Sequence, residues 1–219
     1  TEGVQSPVSM VTVARQSIKG MNEGSLKWET LSRNQFVLNS SIARAEGMYN
    51  SDCSLAPVLD TLKYLKHETD VWFEITTLLI PGENDAEAEI EELTNWVMDN
   101  LGPDVPLHFT AFHPDWKMTD KPNTPLETVV RARKIAIRNG IRHAYTGNVH
   151  YAQGDATYCH NCGEVMIGRD WYELNTWAVE TGGNYTGNCT HCGTLVPGVF
   201  DGPAGDWGRK RMPVSFGGA

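Results

Sequence analysis

The chain has 219 residues and a formal net charge of -9, which leaves room for one domain of ordinary size with a buried core and a small appendage. Its acidity excludes the broad basic face that nucleic-acid binding favours, and the one basic run, Arg209-Lys210-Arg211, reads as a solvated terminal patch. Apolar stretches such as Val71 to Ile80 reach about half the ~20 residues of a membrane-spanning helix, and the polar opening residues carry no secretory signal, so neither a nucleic acid nor a membrane is an expected partner.

Residues 1–54 hold two short strand-like stretches, Met10 to Ala14 and Gln35 to Leu38, among serine, asparagine and glycine, and receive no functional assignment. The chain begins at Thr1 rather than methionine, which points to a fragment, a processed chain or an incomplete gene model. From Leu55 a helix is predicted, with Pro57 in its first turn and Val58, Leu62 and Leu65 at helical spacing. Val71 to Ile80 then reads as a buried strand, rich in β-branched and aromatic residues and stopped by Pro81-Gly82. Asn84 or Asp85 can cap the next helix, which carries Glu87 and Glu89 in its first turn and an apolar stripe of Ile90, Leu93, Val97 and Leu101. Gly102-Pro103 ends it.

A second strand, Leu107 to Phe112, leads through a polar loop to Thr124-Pro125-Leu126-Glu127, which reads as a capping box. The helix that follows runs to about Asn139, with Gly140 as its left-handed stop, and Ile141 to Thr146 supplies a third strand. Alternating helices and strands imply right-handed crossovers and parallel strands, hence an α/β fold that is part of a barrel or of an open sheet. Either architecture collects ligands at the carboxyl ends of the strands, here Pro81 to Asp85, His113 to Trp116 and Gly147 to His150.

Within these segments His113 can contact a ligand, accept a proton or bond a neighbouring loop, while His108, deeper in the strand, reads as a satisfied core histidine. Asn148 suits a ligand-facing turn or a plain one. The turn through Pro81 to Asp85 presents amides at a helix start, which suits a carboxylate or phosphate or serves capping alone. Glu74 is the one acidic residue inside a predicted strand, and a single carboxylate defines no mechanism.

Cys159, Cys162, Cys189 and Cys192 form two C-x-x-C-G steps, the spacing of a closed tetrathiolate site for zinc or a single iron. A closed shell folds a small module rather than catalysing a reaction. Tryptophans at 171, 177 and 207 could pack that module. With four of five cysteines in these pairs and Cys53 left over, a disulfide framework is a poor account of the sulfur, and a reducing cytoplasm is the expected compartment.

Five strings occur together: Ala56-Pro57-Val58-Leu59-Asp60-Thr61-Leu62, Glu74-Ile75-Thr76-Thr77-Leu78-Leu79-Ile80-Pro81-Gly82-Glu83-Asn84-Asp85, His108-Phe109-Thr110-Ala111-Phe112-His113-Pro114, Tyr145-Thr146-Gly147-Asn148-Val149 and Thr157-Tyr158-Cys159-x-x-Cys162-Gly163. Over about residues 55–212 they resemble the AmmeMemoRadiSam system radical SAM enzymes, relatives of pyruvate formate-lyase activating enzymes. The resemblance implies an incomplete parallel (β/α) barrel over 55–150 followed by a zinc-ribbon-like module and tail over 151–219. It further implies S-adenosylmethionine and a [4Fe–4S] cluster in the complete family member, with Thr76, Asn84 and His113 as cofactor-binding positions. The family's C-x-x-x-C-x-x-C loop is absent from this sequence, so the chain alone is expected to be an inactive C-terminal portion. The alternative is a zinc-ribbon module that binds a protein partner, with the α/β part as a non-catalytic scaffold.

Overall fold

A computed structural model describes residues 55–115, 119–171, 173–182 and 186–200. The strand-like stretches predicted before Leu55, as well as Cys53, Trp207 and the basic run at Arg209, lie outside the described residues. The chain divides into two compact units between Gly154 and Asp155. Among the described residues no helix is long and apolar enough to cross a membrane.

In the first unit the order is α1 (Leu55–Glu68), β1 (Ile75–Leu79), α2 (Glu87–Leu101), β2 (Leu107–Ala111), α3 (Leu126–Arg138), β3 (Ala144–Gly147) and the single turn α4 (Ala152–Asp155). The three strands form one parallel sheet in the order β1-β2-β3. Sequential order with right-handed crossovers puts every connecting helix on the same side. The packing agrees: Ile75, Leu79, Leu107, Phe109, Ala111 and Ala144 share one core with Leu62 and Leu65 of α1, Ile90, Val97 and Leu101 of α2, and Val129, Ala132 and Ile135 of α3. Burial alternates without interruption along β1 and β2, so the opposite side chains form a second face that these helices do not cover. The result is a mixed α/β fold with no closed barrel among the described residues.

Regular pairing is shorter than the apolar runs that predict it. β1 is limited to Ile75–Leu79 because β2 offers partners only from Leu107 to Ala111; Val71 and Phe73 are nevertheless buried and keep the same alternation. β3 starts at Ala144 rather than Ile141, because the Ile141 amide donates to Ala136 O (3.0 Å) and the Gly140 amide to Ile137 O (3.0 Å). These two bonds close α3 in a Schellman motif around Gly140, whose φ of 105° is the left-handed stop expected from the sequence.

Two expected caps take other roles. α2 follows Ala86 with no side-chain cap; Asn84 is buried, its Oδ1 accepting from the Ile80 amide (2.7 Å) and its Nδ2 donating to Leu78 O (2.8 Å). Asp85 accepts from the Gly82 amide (2.9 Å). Pro125, not Thr124, precedes α3, again with no side-chain cap. The buried Thr124 hydroxyl accepts from the Phe112 amide (2.9 Å) and donates to Leu79 O (2.6 Å). Backbone groups at the buried strand ends cannot reach water, whereas helix ends at the surface can, so the polar side chains go where the unmet demand is larger.

The second unit comprises β4 (Thr157–Tyr158), β5 (Val165–Asp170), β6 (Glu173–Trp177), β7 (Val179–Thr181), β8 (Gly187–Cys189) and β9 (Leu195–Val196). They form two three-stranded antiparallel sheets, β4-β5-β6 and β7-β8-β9.

Thr124→Val removes a hydroxyl that serves two buried backbone groups and is expected to lower unfolding free energy by about 1–3 kcal/mol in denaturant titrations. Glu89, in the first turn of α2, is pushed up from 4.5 to about 7 by burial and by the nearby Glu92 and Asp85 carboxylates, against the pull of the helix dipole. The folded state therefore holds this proton more tightly than the unfolded chain. Its stabilising effect is complete below the ordinary carboxylate range and is lost as pH rises through about 7. Solvent screening of this partly exposed group keeps the effect near or below ~1 kcal/mol, and Glu89→Gln is expected to flatten that slope in melts taken from pH ~5 to ~8.

Candidate metal centre and the polar face of the sheet

Cys159 closes β4 and Cys189 ends β8, and each opens a tight loop held by the same pair of backbone bonds. The Cys159 amide donates to Glu164 O (2.8 Å) and Gly163 to Cys159 O (2.9 Å); the Cys189 amide donates to Thr194 O (2.9 Å) and Gly193 to Cys189 O (2.8 Å). Gly163 and Gly193 have φ of 76° and 72°, a backbone that lets each loop curl around its second thiol. The two loops face each other. All four Sγ atoms lie within 4.8 Å of one another, with Cys159 to Cys192 at 3.6 Å and Cys162 to Cys189 at 3.8 Å.

A tetrahedral ion with metal–sulfur bonds of about 2.3 Å separates its sulfurs by ~3.8 Å, so the observed spacing fits one metal ion. It is too tight for a cubane cluster, whose cysteines sit on separate irons. Cys159 and Cys189 are buried while Cys162 and Cys192 are exposed. The Thr194 hydroxyl and amide and the Asn161 amide hold the Cys192 thiol down at about 5. At Cys162 the Glu164 amide favours the thiolate, but partial desolvation of the sulfur and the three neighbouring thiols outweigh it and push the group up to about 12. Four thiolates cannot gather here without a cation, so metal binding expels protons from the site.

Around the thiols, Met166, Ile167, Val179 and Val196 form a small core, joined by Trp177 and Phe200 with ring centroids 6.3 Å apart. Of the tryptophans expected to pack it, Trp171 does not. It is 43% exposed, with φ of 54°, at the turn between β5 and β6, because a hairpin tip projects away from the sheet it joins.

In the first unit, Thr76 lies half-buried on the face opposite the described helices, in register with His108 and Tyr145. Asn84 sits in the turn after β1 with its amide spent on that strand's end. His113 is exposed just beyond β2. The three positions thus gather at β1, β2 and their carboxyl-end loops without forming one cluster of touching side chains. Asn148 adopts a left-handed turn (φ 58°) and donates to Ala111 O (3.3 Å), tying β3 to the end of β2.

The cluster that does form is different. His108 Nε2 lies 2.7 Å from Glu74 Oε2, the Trp72 indole donates to Glu74 Oε1 (3.3 Å), and the His108 ring stacks on Tyr145 at 4.9 Å. The reading of His108 as a core histidine is therefore corrected: its side chain is 30% exposed on the face opposite the described helices and paired with a carboxylate. Alternation shows that Trp72, Glu74 and Thr76 share a face, but only the parallel register brings His108 and Tyr145 beside them.

A curated protein of Methanocaldococcus jannaschii, described as uncharacterized, is 39% identical to the chain over 162 residues, covering 73% of the chain and 47% of that protein. The chain thus spans about half the length of the relative it matches. No family model and no solved structure matches the chain.

Cys159→Ser or Cys189→Ser is expected to reduce bound metal, measured by elemental analysis, from about one equivalent to well below half. Chelation is expected to abolish amide-exchange protection across β4–β9 while leaving β1–β3 protected, since a core this small depends on the ion.

Proposed function

We propose that the chain is the carboxyl-terminal portion of a radical SAM enzyme, consisting of an arc of an incomplete (β/α) barrel and a structural zinc ribbon. The observation that carries this reading is the sidedness of the sheet. Three consecutive parallel strands wind in one direction, all core helices lie on one face, and the other face carries half-buried polar side chains, which is how an inward barrel wall is built. Among the described residues neither β1 nor β3 has a second partner strand, so the arc can accept further strands. The five sequence strings support the same assignment.

Reductive cleavage of S-adenosylmethionine to a 5′-deoxyadenosyl radical is the chemistry that the complete enzyme's [4Fe–4S] cluster supplies. Residues present here do not fit that cluster: the four closely spaced thiols serve a single ion, and Cys53 is the one cysteine remaining. What this chain offers is the wall. Thr76 lies on the face opposite the described core helices, Asn84 fixes the turn after β1, and His113, exposed beyond β2, is placed to approach a nucleoside at the carboxyl end. Zinc suits the closed tetrathiolate, with a single iron as the other candidate that an absorption spectrum distinguishes.

A second reading, a protein-binding zinc ribbon on a non-catalytic scaffold, draws on the exposure of Trp171, Leu174 and Leu195 in the second unit. The two readings separate experimentally. Sequencing the DNA upstream of the Thr1 codon is expected to reveal an in-frame C-x-x-x-C-x-x-C. The corresponding longer protein, reconstituted anaerobically with iron and sulfide, is expected to release 5′-deoxyadenosine from S-adenosylmethionine under a strong reductant, while the present chain releases none. An upstream stop codon, or a reconstituted cluster that never cleaves S-adenosylmethionine, would overturn the enzyme reading.

A further inference from the structure

The Glu74–His108 pair lies in the wall that the proposed enzyme turns toward its ligands, and its chemistry selects what it can hold. Glu74 can only accept hydrogen bonds when ionised, so its 2.7 Å contact makes His108 Nε2 the protonated nitrogen. In the neutral imidazole that leaves Nδ1 with its lone pair. Among the described residues the His108 ring forms no other hydrogen bond, and Nδ1 is not one of the buried polar atoms lacking a partner; it is open to a ligand. Tyr145, stacked on the ring at 4.9 Å, and Glu74 hold the imidazole plane in place from two sides. An imidazole oriented by a carboxylate through one nitrogen and open at the other is the arrangement of a general base.

The surroundings narrow the ligand class. On this face lie Trp72 and Glu74 just before β1, Thr76 and Leu78 of β1, His108 and Thr110 of β2, and Tyr145 and Gly147 of β3. None is lysine or arginine, and the one full charge among them is the Glu74 carboxylate. Among these residues a phosphate or carboxylate would meet the Glu74 carboxylate and no lysine or arginine, whereas a hydroxyl or amine would meet an acceptor beside Thr76 and Thr110.

We infer that His108, held by Glu74, is a proton-accepting residue of this site, and that its substrate brings an O–H or N–H donor rather than an anionic group. In the step this implies, the O–H or N–H bond breaks, its electron pair stays on the oxygen or nitrogen, and the proton joins Nδ1 to give an imidazolium balanced by Glu74. The assignment rests on the reading of this face as an inward wall, yet its test needs neither cluster nor S-adenosylmethionine.

Nitrogen and carbon NMR of the His108 ring in the full 219-residue chain is expected to show the Nε2–H tautomer, and Glu74→Gln, close to isosteric, is expected to give a mixture of tautomers. Ethanolamine, at fixed pH and ionic strength, is expected to shift the His108 ring signals saturably, acetate at equal concentration to leave them in place, and Glu74→Gln to weaken the ethanolamine response about tenfold. A dominant Nδ1–H tautomer in the wild-type chain, a response to acetate equal to that to ethanolamine, or silence toward both would overturn the inference. Loss of 5′-deoxyadenosine release in the longer protein would overturn the enzyme reading alone, and leave these signals unaffected.

Discussion

The parallel ladder that joins β1 to β2 and β2 to β3 governs the rest of the first unit. Because side chains alternate along each strand, one choice of register assigns every residue of the sheet to the helix side or to the opposite side. Ile75, Leu107 and Ala144 fall in one row and are buried together; Thr76, His108 and Tyr145 fall in the next and are not. A slip of one residue in β2 would drive His108 among the core helices and lift Phe109 out of them. The apolar core and the polar wall are therefore two readings of a single alignment, and Phe109, fully buried at the centre of β2, contributes to both by fixing it.

The second unit solves a different problem. Its strands are two to six residues long, and its apolar core amounts to a few side chains around the thiols. Sheets this small bury too little surface to offset the entropy of ordering the chain. Two loops of the same hydrogen-bonded design, one after β4 and one after β8, bring sulfurs from the two sheets to tetrahedral spacing. A metal ion held there would cross-link two sheets that otherwise share only this small core.

Much of this was legible in the sequence. The first two helices follow from helical spacing of apolar residues, the first strand from its β-branched and aromatic run stopped by Pro81-Gly82, the end of α3 from Gly140, and the tetrathiolate from the C-x-x-C-G spacing. What escaped did so for identifiable reasons. Asn84 and Thr124 have the chemistry and position of helix caps, yet both serve the ends of strands, and the demand they answer is created by tertiary pairing rather than by neighbours in sequence. His108 looked like core because its strand is apolar around it. Its carboxylate partner is 34 positions away, a distance that only the sheet register bridges. Trp171 shows the converse error: a large apolar side chain beside a small core invited packing, but a hairpin tip carries it outward.

The stapling of β1 and β2 at their carboxyl ends has a further meaning. Asn84 binds the turn after β1 to Leu78 and Ile80, Thr124 joins the ends of β1 and β2, and Asn148 reaches back to Ala111. Each loop on that rim therefore departs from an anchored point, and changes of length or composition farther out need not propagate into the sheet. A rim built this way separates evolvability from stability: the outer loops can be rewritten while the sheet beneath them keeps its shape.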